Sequence, residues 1–234
     1  MIFSAGLGTR FKPWTDHHPK ALAAVNGKPL LRRNIEYLQQ FGIYEVVVNV
    51  HHFADQVIKA LEDNKGWGSK VLISDEQNLL LETGGGLLHA KNLLEGKPFL
   101  TVNVDVLTKL DLNKIQEYWS DSGALVTLSI QDRNTSRYFL FNEEMNLSGW
   151  RNVQTGEEKR VRESKELIQK AYSCVAVYRP EIFDLIPQSG KFSLTETFLS
   201  LAPNHLINGF DHSGDDFVDV GKPESVELAE LKFK

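Results

Sequence analysis

The chain has 234 residues, of which 41% are hydrophobic and 24% charged, and its formal net charge is −5. This size and composition predict a single domain over residues 1–234. The acidic balance and the lack of a long basic run disfavour binding to nucleic acid, which needs a clustered positive surface. No apolar stretch has the length of a membrane span and no basic leader is present, so we expect a cytoplasmic protein that does not bind membranes. Nothing in the sequence indicates an oligomeric state.

Apolar runs of strand length alternate with helical patterns through the first 130 residues. The patterns predict strands over residues 2–5, 45–50, 70–74, 98–104 and 124–130, and helices over residues 29–41, 53–61, 84–94 and 111–121. This alternation favours an α/β fold with a largely parallel sheet.

The alternation stops after residue 130. Residues 138–141 and 147–151 predict a hairpin, and the charge-dense residues 152–170 predict an exposed, mobile loop. A strand over 172–178, a helix over 193–201 that begins with a capping box, a strand over 217–220 and a helix from Pro223 follow. The single cysteine, Cys174, lies among apolar residues and is predicted to be a buried, inert thiol.

The first candidate functional segment is the glycine-containing loop that starts at Gly6, directly after the first predicted strand. Glycines at this place let the backbone approach a ligand and turn its N–H groups toward phosphate. A dinucleotide fingerprint is disfavoured because Phe11 stands where a third glycine is needed and Pro13 opposes a helix. No Gly-Lys pair is followed by Ser or Thr, which excludes a P-loop. What remains is a phosphate-binding loop with cations at Arg10, Lys12 and Lys20, or a plain turn with solvated charges.

Two strands end near a carboxylate. Asp105 follows the strand over 98–104, and Asp219 lies at the end of the strand over 217–220. Ligands of open α/β sheets bind beyond the carboxyl ends of the strands, where aspartates are placed to hold Mg²⁺. The alternative for each residue is a helix cap or an ordinary turn.

Two further patterns have weaker functional meaning. Three glycines from Gly84 to Gly86 can let a flat base lie against bare backbone, or can simply form a flexible turn. The pairs His17-His18 and His51-His52 lack a third ligand at useful spacing, so we interpret them as solvated histidines.

Taken together in this order, the segments resemble the signature of sugar-1-phosphate nucleotidyltransferases. The resemblance spans the chain and is carried by Ala5-Gly6-Leu7-Gly8-Thr9-Arg10-Phe11-Lys12-Pro13-Trp14-Thr15, Pro19-Lys20-Ala21-Leu22, Gly27-Lys28-Pro29-Leu30, Glu82-Thr83-Gly84-Gly85-Gly86, Asn103-Val104-Asp105 and Asp219-Val220-Gly221-Lys222-Pro223. The chain is most similar to short members, such as N-acetylmuramate 1-phosphate uridylyltransferases and mannose-1-phosphate guanylyltransferase-like enzymes. It departs from the family pattern at Phe11, Trp14, Val104 and Lys222, and it has no clear match to the Glu-Lys pair that some members use on the sugar phosphate.

The resemblance implies a Rossmann-like fold of the nucleotide-diphospho-sugar transferase type, with a mixed, mostly parallel central sheet and helices on both faces. It implies joining of a nucleoside triphosphate to a sugar 1-phosphate with release of pyrophosphate and with Mg²⁺ as cofactor. The implied catalytic residues are Arg10, Lys20 and Asp105, and the implied metal ligands are Asp105 and Asp219. The implied nucleotide contacts are Ala5, Gly6, Leu7, Gly8, Thr9, Arg10, Glu82, Thr83, Gly84 and Gly85, and the implied sugar contacts are Asn103, Arg137 and Ser173.

Two other functions stay open at this stage. One is a cytidylyltransferase that acts on phosphocholine or another small phosphate. The other is a catalytically inactive nucleotide-sugar-binding regulator, which the presence of Arg10, Lys20, Asp105 and Asp219 disfavours. A plain NAD-binding fold is disfavoured by Phe11 and Pro13.

Overall fold

The computed structural model describes residues 1–234. Its strands are β1 (Ile2–Phe3), β2 (Ala24–Val25), β3 (Lys28–Pro29), β4 (Glu45–Val50), β5 (Lys70–Asp75), β6 (Phe99–Asn103), β7 (Val106–Thr108), β8 (Val126–Gln131), β9 (Arg137–Phe141), β10 (Leu147–Asn152), β11 (Glu158–Arg160), β12 (Ile168–Tyr178), β13 (Ile207–Asp211) and β14 (Phe217–Asp219). Its α-helices are α1 (Leu30–Gln39), α2 (Ala54–Asp63), α3 (Glu82–His89), α4 (Lys91–Leu94), α5 (Leu112–Ser122), α6 (Ile182–Leu185), α7 (Leu194–Leu201) and α8 (Ser225–Lys232). None of these helices has the length and apolar character that crossing a bilayer requires.

Ten strands form one mixed sheet, in the order β11-β10-β9-β12-β6-β1-β4-β5, with β8 placed between β12 and β13. Strands β6, β1, β4 and β5 are parallel, whereas β12 runs antiparallel to β6 and β8. The predicted α/β fold with a mixed, mostly parallel central sheet and flanking helices is confirmed. The loop after β1 and Asp105 after β6 therefore leave the same edge of the sheet, because the two strands are parallel neighbours.

The core lies on both faces of this sheet. On β4, Val46, Val48 and Val50 pack into one buried cluster with α1 and α2, and Val47 packs into a second cluster with α3 and α7. Successive strand residues point to opposite faces, so a strand covered on both sides needs apolar residues throughout. This explains why three valines, Val46 to Val48, follow one another on β4.

The predicted exposed loop over residues 152–170 is only partly present, because a strand interrupts it. The segment contains β11, which pairs antiparallel with β10, and it includes the start of β12 at Ile168. The charges that suggested a loop instead form contacts along the edge strand: Arg151 Nε donates to Glu158 Oε2 at 2.6 Å, and Arg160 Nε donates to Glu158 Oε1 at 2.6 Å. Such charges are tolerated on an edge strand because its outer face is solvated.

The other differences concern element limits. The predicted helix over 84–94 begins earlier, at Glu82, and breaks at Ala90 into α3 and α4. No sequence pattern indicated β2, β3, β7, β11, β13 or α6. The predicted hairpin corresponds to β9 and β10, and the predicted capping box on Ser193 is present at the start of α7.

Candidate functional site

The loop after β1 folds into a tight turn at Gly8. Gly8 has φ +62°, and a Cβ at this position would lie 2.8 Å from Thr15 Cγ2. The Thr15 hydroxyl donates to Gly8 O at 2.9 Å, which holds the two ends of the turn together. A side chain at residue 8 would both strain the backbone and displace Thr15, so glycine is required here.

A cavity of about 360 Å³ lies beyond the carboxyl ends of β1 and β6. Its walls include most of the predicted site residues: Ala5, Gly6, Gly8, Thr9, Arg10, Lys20, Glu82, Thr83, Asn103 and Asp105. Ser4, Asn49, Leu80 and Gly221 also line it and were not predicted from the sequence. Leu7, Gly84, Gly85, Asp219, Arg137 and Ser173 are not among its lining residues.

The two predicted metal ligands lie side by side. Strand β14 pairs antiparallel with β7 and sets Asp219 opposite Val106, while Val220 N donates to Asp105 O at 2.8 Å. Asp219 is open to solvent on one side, yet desolvation and then the negative charge of Asp105 raise the pKa of its carboxyl. The strand pairing and the hydrogen bond of Val220 bring residues 105 and 219 close together.

Two cations approach this acidic pair. The ammonium of Lys20 donates to Asp105 Oδ2, and Lys20 is only 9% exposed. A Cβ on Gly221 would lie 2.6 Å from Asp219 Oδ1 and 2.7 Å from Arg10 Nη2, so both side chains pass over this glycine. A side chain at position 221 would therefore displace both the Arg10 guanidinium and the Asp219 carboxylate.

The three glycines of α3 are packed against protein. Gly84 N and Gly85 N donate to Phe192 O at 2.9 and 3.1 Å, and a Cβ on Gly85 would lie 2.2 Å from Gly190 O. Their backbone donors are thus already paired, and the cavity wall beside them is formed by Leu80, Glu82 and Thr83. The bare backbone is explained here by close packing of α3 on the segment 190–192.

A buried polar network that the sequence did not indicate supports this side of the cavity. Asn49 Nδ2 donates to Glu76 Oε1 at 2.7 Å, and Ser4 N donates to Asn49 Oδ1 at 2.7 Å. Glu76 is 3% exposed, and burial raises the pKa of its carboxyl. A Cβ on Gly86 would lie 2.6 Å from Glu76 Oε1, so the third glycine makes room for this carboxylate.

The three predicted sugar contacts do not all lie at the cavity. Asn103 faces the cavity, whereas Arg137 is exposed at the start of β9. Ser173 is fully buried, and its hydroxyl lies 2.9 Å from His212 Nε2. Next to it, Cys174 is half-buried with φ +58°, and burial followed by the charges of Asp105 and Asp219 raises its pKa to about 12. The sequence predicted a buried, inert thiol; the raised pKa keeps the thiol protonated, but Cys174 is only half-buried.

The histidine pairs behave in two ways. His17 and His18 are exposed, in agreement with their interpretation as solvated residues. His51 and His52 are half-buried, and their ring nitrogens donate to Glu76 O at 2.6 Å and Thr15 O at 3.2 Å. Across residues 1–234, no three His, Cys, Asp or Glu side chains are grouped so as to hold a metal ion.

Comparison with known proteins shows the family of this chain. The sequence profile of nucleotidyl transferases matches residues 1–233. The chain belongs to this family. It is 32% identical to an N-acetylmuramate alpha-1-phosphate uridylyltransferase of Caulobacter vibrioides, over 100% of this chain and 96% of that protein. It is 33% identical to the Neisseria meningitidis serogroup B protein of the same name, over 94% of this chain and 92% of that protein.

A solved structure is also similar to this chain over its whole length. HddC from Yersinia pseudotuberculosis, crystallised with GMP-PN, superposes with a TM-score of 0.79 at 25% identity and covers 100% of this chain and 98% of its own. The predicted membership of the sugar-1-phosphate nucleotidyltransferase family is confirmed. The comparisons leave the role of each site residue as a prediction.

Proposed function

We propose that this enzyme transfers the nucleotide of a nucleoside triphosphate to a sugar 1-phosphate and releases pyrophosphate, with Mg²⁺ held by Asp105 and Asp219. The observation that carries the proposal is the meeting of these two carboxylates with Lys20 and Arg10 beside one cavity, whose wall includes Asp105, Lys20 and Arg10. The carboxylates come from residues 114 positions apart in sequence (219 − 105), so their approach is a property of the fold.

The donor set fits a magnesium ion. Mg²⁺ prefers oxygen ligands, and one or two carboxylates supplemented by phosphate and water are its common arrangement in phosphoryl-transfer sites. The mutual repulsion of Asp105 and Asp219 favours a cation between them. When bound, the ion would neutralise charge on the α-phosphate and make it a better electrophile.

The remaining chemistry belongs to residues of this chain. An acceptor phosphate has a second pKa near about 6, so at neutral pH its oxygen attacks without a general base. The obstacle is repulsion between two anions, which fixed positive charges reduce. Arg10 is placed to hold the departing pyrophosphate, Lys20 to bridge the reacting phosphates, and the 5–9 loop to hold the triphosphate through its N–H groups.

We propose UTP and N-acetylmuramate 1-phosphate as the substrates, and hence a role in cell-wall precursor chemistry. The support is that the two uridylyltransferase relatives match this chain over nearly their whole length. A guanine nucleotide is the second candidate, because HddC carries GMP-PN on the same fold.

The test is a matrix of nucleoside triphosphates against sugar 1-phosphates and phosphocholine, with pyrophosphate release as the readout. We expect Mg²⁺-dependent release that is strongest with UTP and N-acetylmuramate 1-phosphate and that EDTA abolishes. Preference for CTP with phosphocholine would support the cytidylyltransferase alternative. Tight binding of a nucleotide sugar without any release would support the regulator. As a control, Asp184→Asn removes one negative charge outside the cavity, as Asp105→Asn does at the cavity wall, and it should leave the rate unchanged.

A further inference from the structure

Arg133, in the connection between β8 and β9, has a fixed guanidinium with unused donors. Its guanidinium carbon lies 4.6 Å from the centre of the Phe217 ring, and its Nη2 donates to Tyr172 O at 2.7 Å. Its Nε is buried and has no hydrogen-bond partner. A buried donor without a partner is destabilising, so its presence here calls for an explanation.

Arg133 lies on the same side of β14 as Asp219. Phe217 and Asp219 are two residues apart on one strand, so their side chains share a face, and Arg133 covers the first of them. The guanidinium therefore lies on the Asp219 side of β14, although it is not part of the nucleotide cavity wall.

The two arginines approach Asp219 from different elements. Arg10 comes from the phosphate-binding loop and passes over Gly221, whereas Arg133 comes from the β8–β9 connection and rests on Phe217. In a displacement at the α-phosphate, the attacking oxygen and the leaving pyrophosphate lie roughly in line on opposite sides. If Arg10 holds the leaving pyrophosphate, Arg133 remains to bind the acceptor phosphate, which attacks from the opposite side.

Lys170, a cation near Arg133, is neutralised by neighbouring carboxylates. Lys170 Nζ lies 2.9 Å from Asp132 Oδ1 and 2.6 Å from Asp211 Oδ2. Arg133 forms no ion pair with any carboxylate of the chain, and its only side-chain partners are a carbonyl and an aromatic face. It thus keeps its full charge available for a ligand.

We propose that Arg133 binds the phosphate of the acceptor sugar 1-phosphate and fixes it for attack. The proposal rests on the function proposed above. In that reaction an acceptor phosphate oxygen forms the new bond to the α-phosphorus, the bond from this phosphorus to the bridging oxygen breaks, and pyrophosphate leaves with the electron pair. Arg133 takes no part in bond making; it holds the nucleophile and offsets its charge.

Arg179 offers a matched control. Its guanidinium carbon also stacks on an aromatic ring, 5.2 Å from the centre of Trp119, and its Nε donates to Ala124 O at 3.0 Å. It therefore has the same structural contacts as Arg133 but follows the far end of β12, away from Asp219. Arg133→Gln and Arg179→Gln should lower the melting temperature by similar amounts.

The measurement is steady-state kinetics with each substrate varied in turn. Loss of a charged hydrogen bond to phosphate should raise the KM of the sugar 1-phosphate at least about tenfold in Arg133→Gln, while the KM of the nucleotide changes less than about twofold. Arg133→Lys should recover part of the loss, and it serves as the readout if the glutamine variant does not fold. Arg179→Gln should leave both KM values as in the wild type.

Results that contradict the proposed role of Arg133 differ from results that contradict the proposed function. If the wild-type enzyme releases pyrophosphate but the acceptor KM of both Arg133 variants is unchanged, or both KM values rise together, Arg133 is structural. N-acetylmuramate 1-phosphate and N-acetylglucosamine 1-phosphate, tested as substrates or competitors, separate phosphate from carboxylate recognition. A defect with both sugars supports the proposal, and a defect confined to the carboxylated sugar overturns it. Absence of pyrophosphate release by the wild type with every pair would reject the proposed function itself.

Discussion

Asp105→Asn separates the catalytic from the structural role of the acidic pair. Lys20 is 9% exposed and donates to Asp105 Oδ2, so it needs an oxygen acceptor at this position. Asparagine keeps an oxygen for Lys20 and removes the charge that repels Asp219. We expect the free energy of unfolding to stay within about 1 kcal/mol of wild type. Pyrophosphate release should fall at least about 10³-fold, which corresponds to roughly 4 kcal/mol of transition-state stabilisation.

Asp105→Ala should behave differently, because it leaves the buried ammonium of Lys20 without its carboxylate. Breaking one side of a buried ion pair costs about 3 kcal/mol. For a chain of this size each kcal/mol shifts the melting temperature by about 2–4 °C, so a fall of roughly 10 °C is expected. Thermal melts of both variants in EDTA and a coupled pyrophosphate assay in Mg²⁺ give the two quantities separately.

Two results would refute this reasoning. An asparagine variant that keeps more than about a tenth of the wild-type rate would remove Asp105 from the reaction, since loss of one aligned charge-stabilising group costs more than this. An asparagine variant that melts as low as the alanine variant would show that Lys20 requires a full negative charge. Loss of activity would then follow from loss of structure.

Three further predictions concern the cavity and the residues packed behind its wall. Lys20→Ala should slow turnover by about 10²–10³-fold in single-turnover assays, and an unchanged rate would contradict its bridging role. In Gly85→Ala the new Cβ would lie 2.2 Å from Gly190 O, so overpacking should cost about 1–3 kcal/mol by urea unfolding; equal stability would show that the 190–192 segment moves freely. Burial raises the pKa of Glu76 above 4.5, so the folded state holds this proton more tightly and wild-type stability falls as pH rises from 4.5 through the folded pKa. Unfolding curves of Glu76→Gln across this range should lack that fall, and parallel pH profiles for the two proteins would contradict the assignment.

The sequence alone predicted the parts of the site that depend on local pattern. Gly8 and Asp105 follow apolar strands, and parallel neighbouring strands must end at the same edge of a sheet. The cation at Lys20 was predicted through the family signature. The structure agrees because each of these positions depends on a short segment and on one rule of sheet topology.

Features that depend on long-range pairing were not indicated by local patterns. The family resemblance implied that Asp105 and Asp219 act together, but the pairing of β14 with β7 that sets them side by side was not predicted, because each strand has only three residues. Ser173 is buried because the backbone of β12 takes a positive φ at Cys174 and its register with β8 shifts there. The stacking of Arg133 on Phe217 joins residues 84 positions apart (217 − 133), and no local pattern marks either of them.

The charge arrangement explains why Lys20 is buried at all. Asp105 and Asp219 repel each other, and two facing carboxylates without a cation would favour protonation of one of them. The ammonium of Lys20 donates to Asp105 and holds that carboxylate in place. In the proposed reaction, a triphosphate that enters with Mg²⁺ would bring both a cation for the carboxylates and an anion for the ammonium. The ion pair of Lys20 with Asp105 would then be exchanged for these two, so the folded chain would not have to create new charges when it binds its substrates.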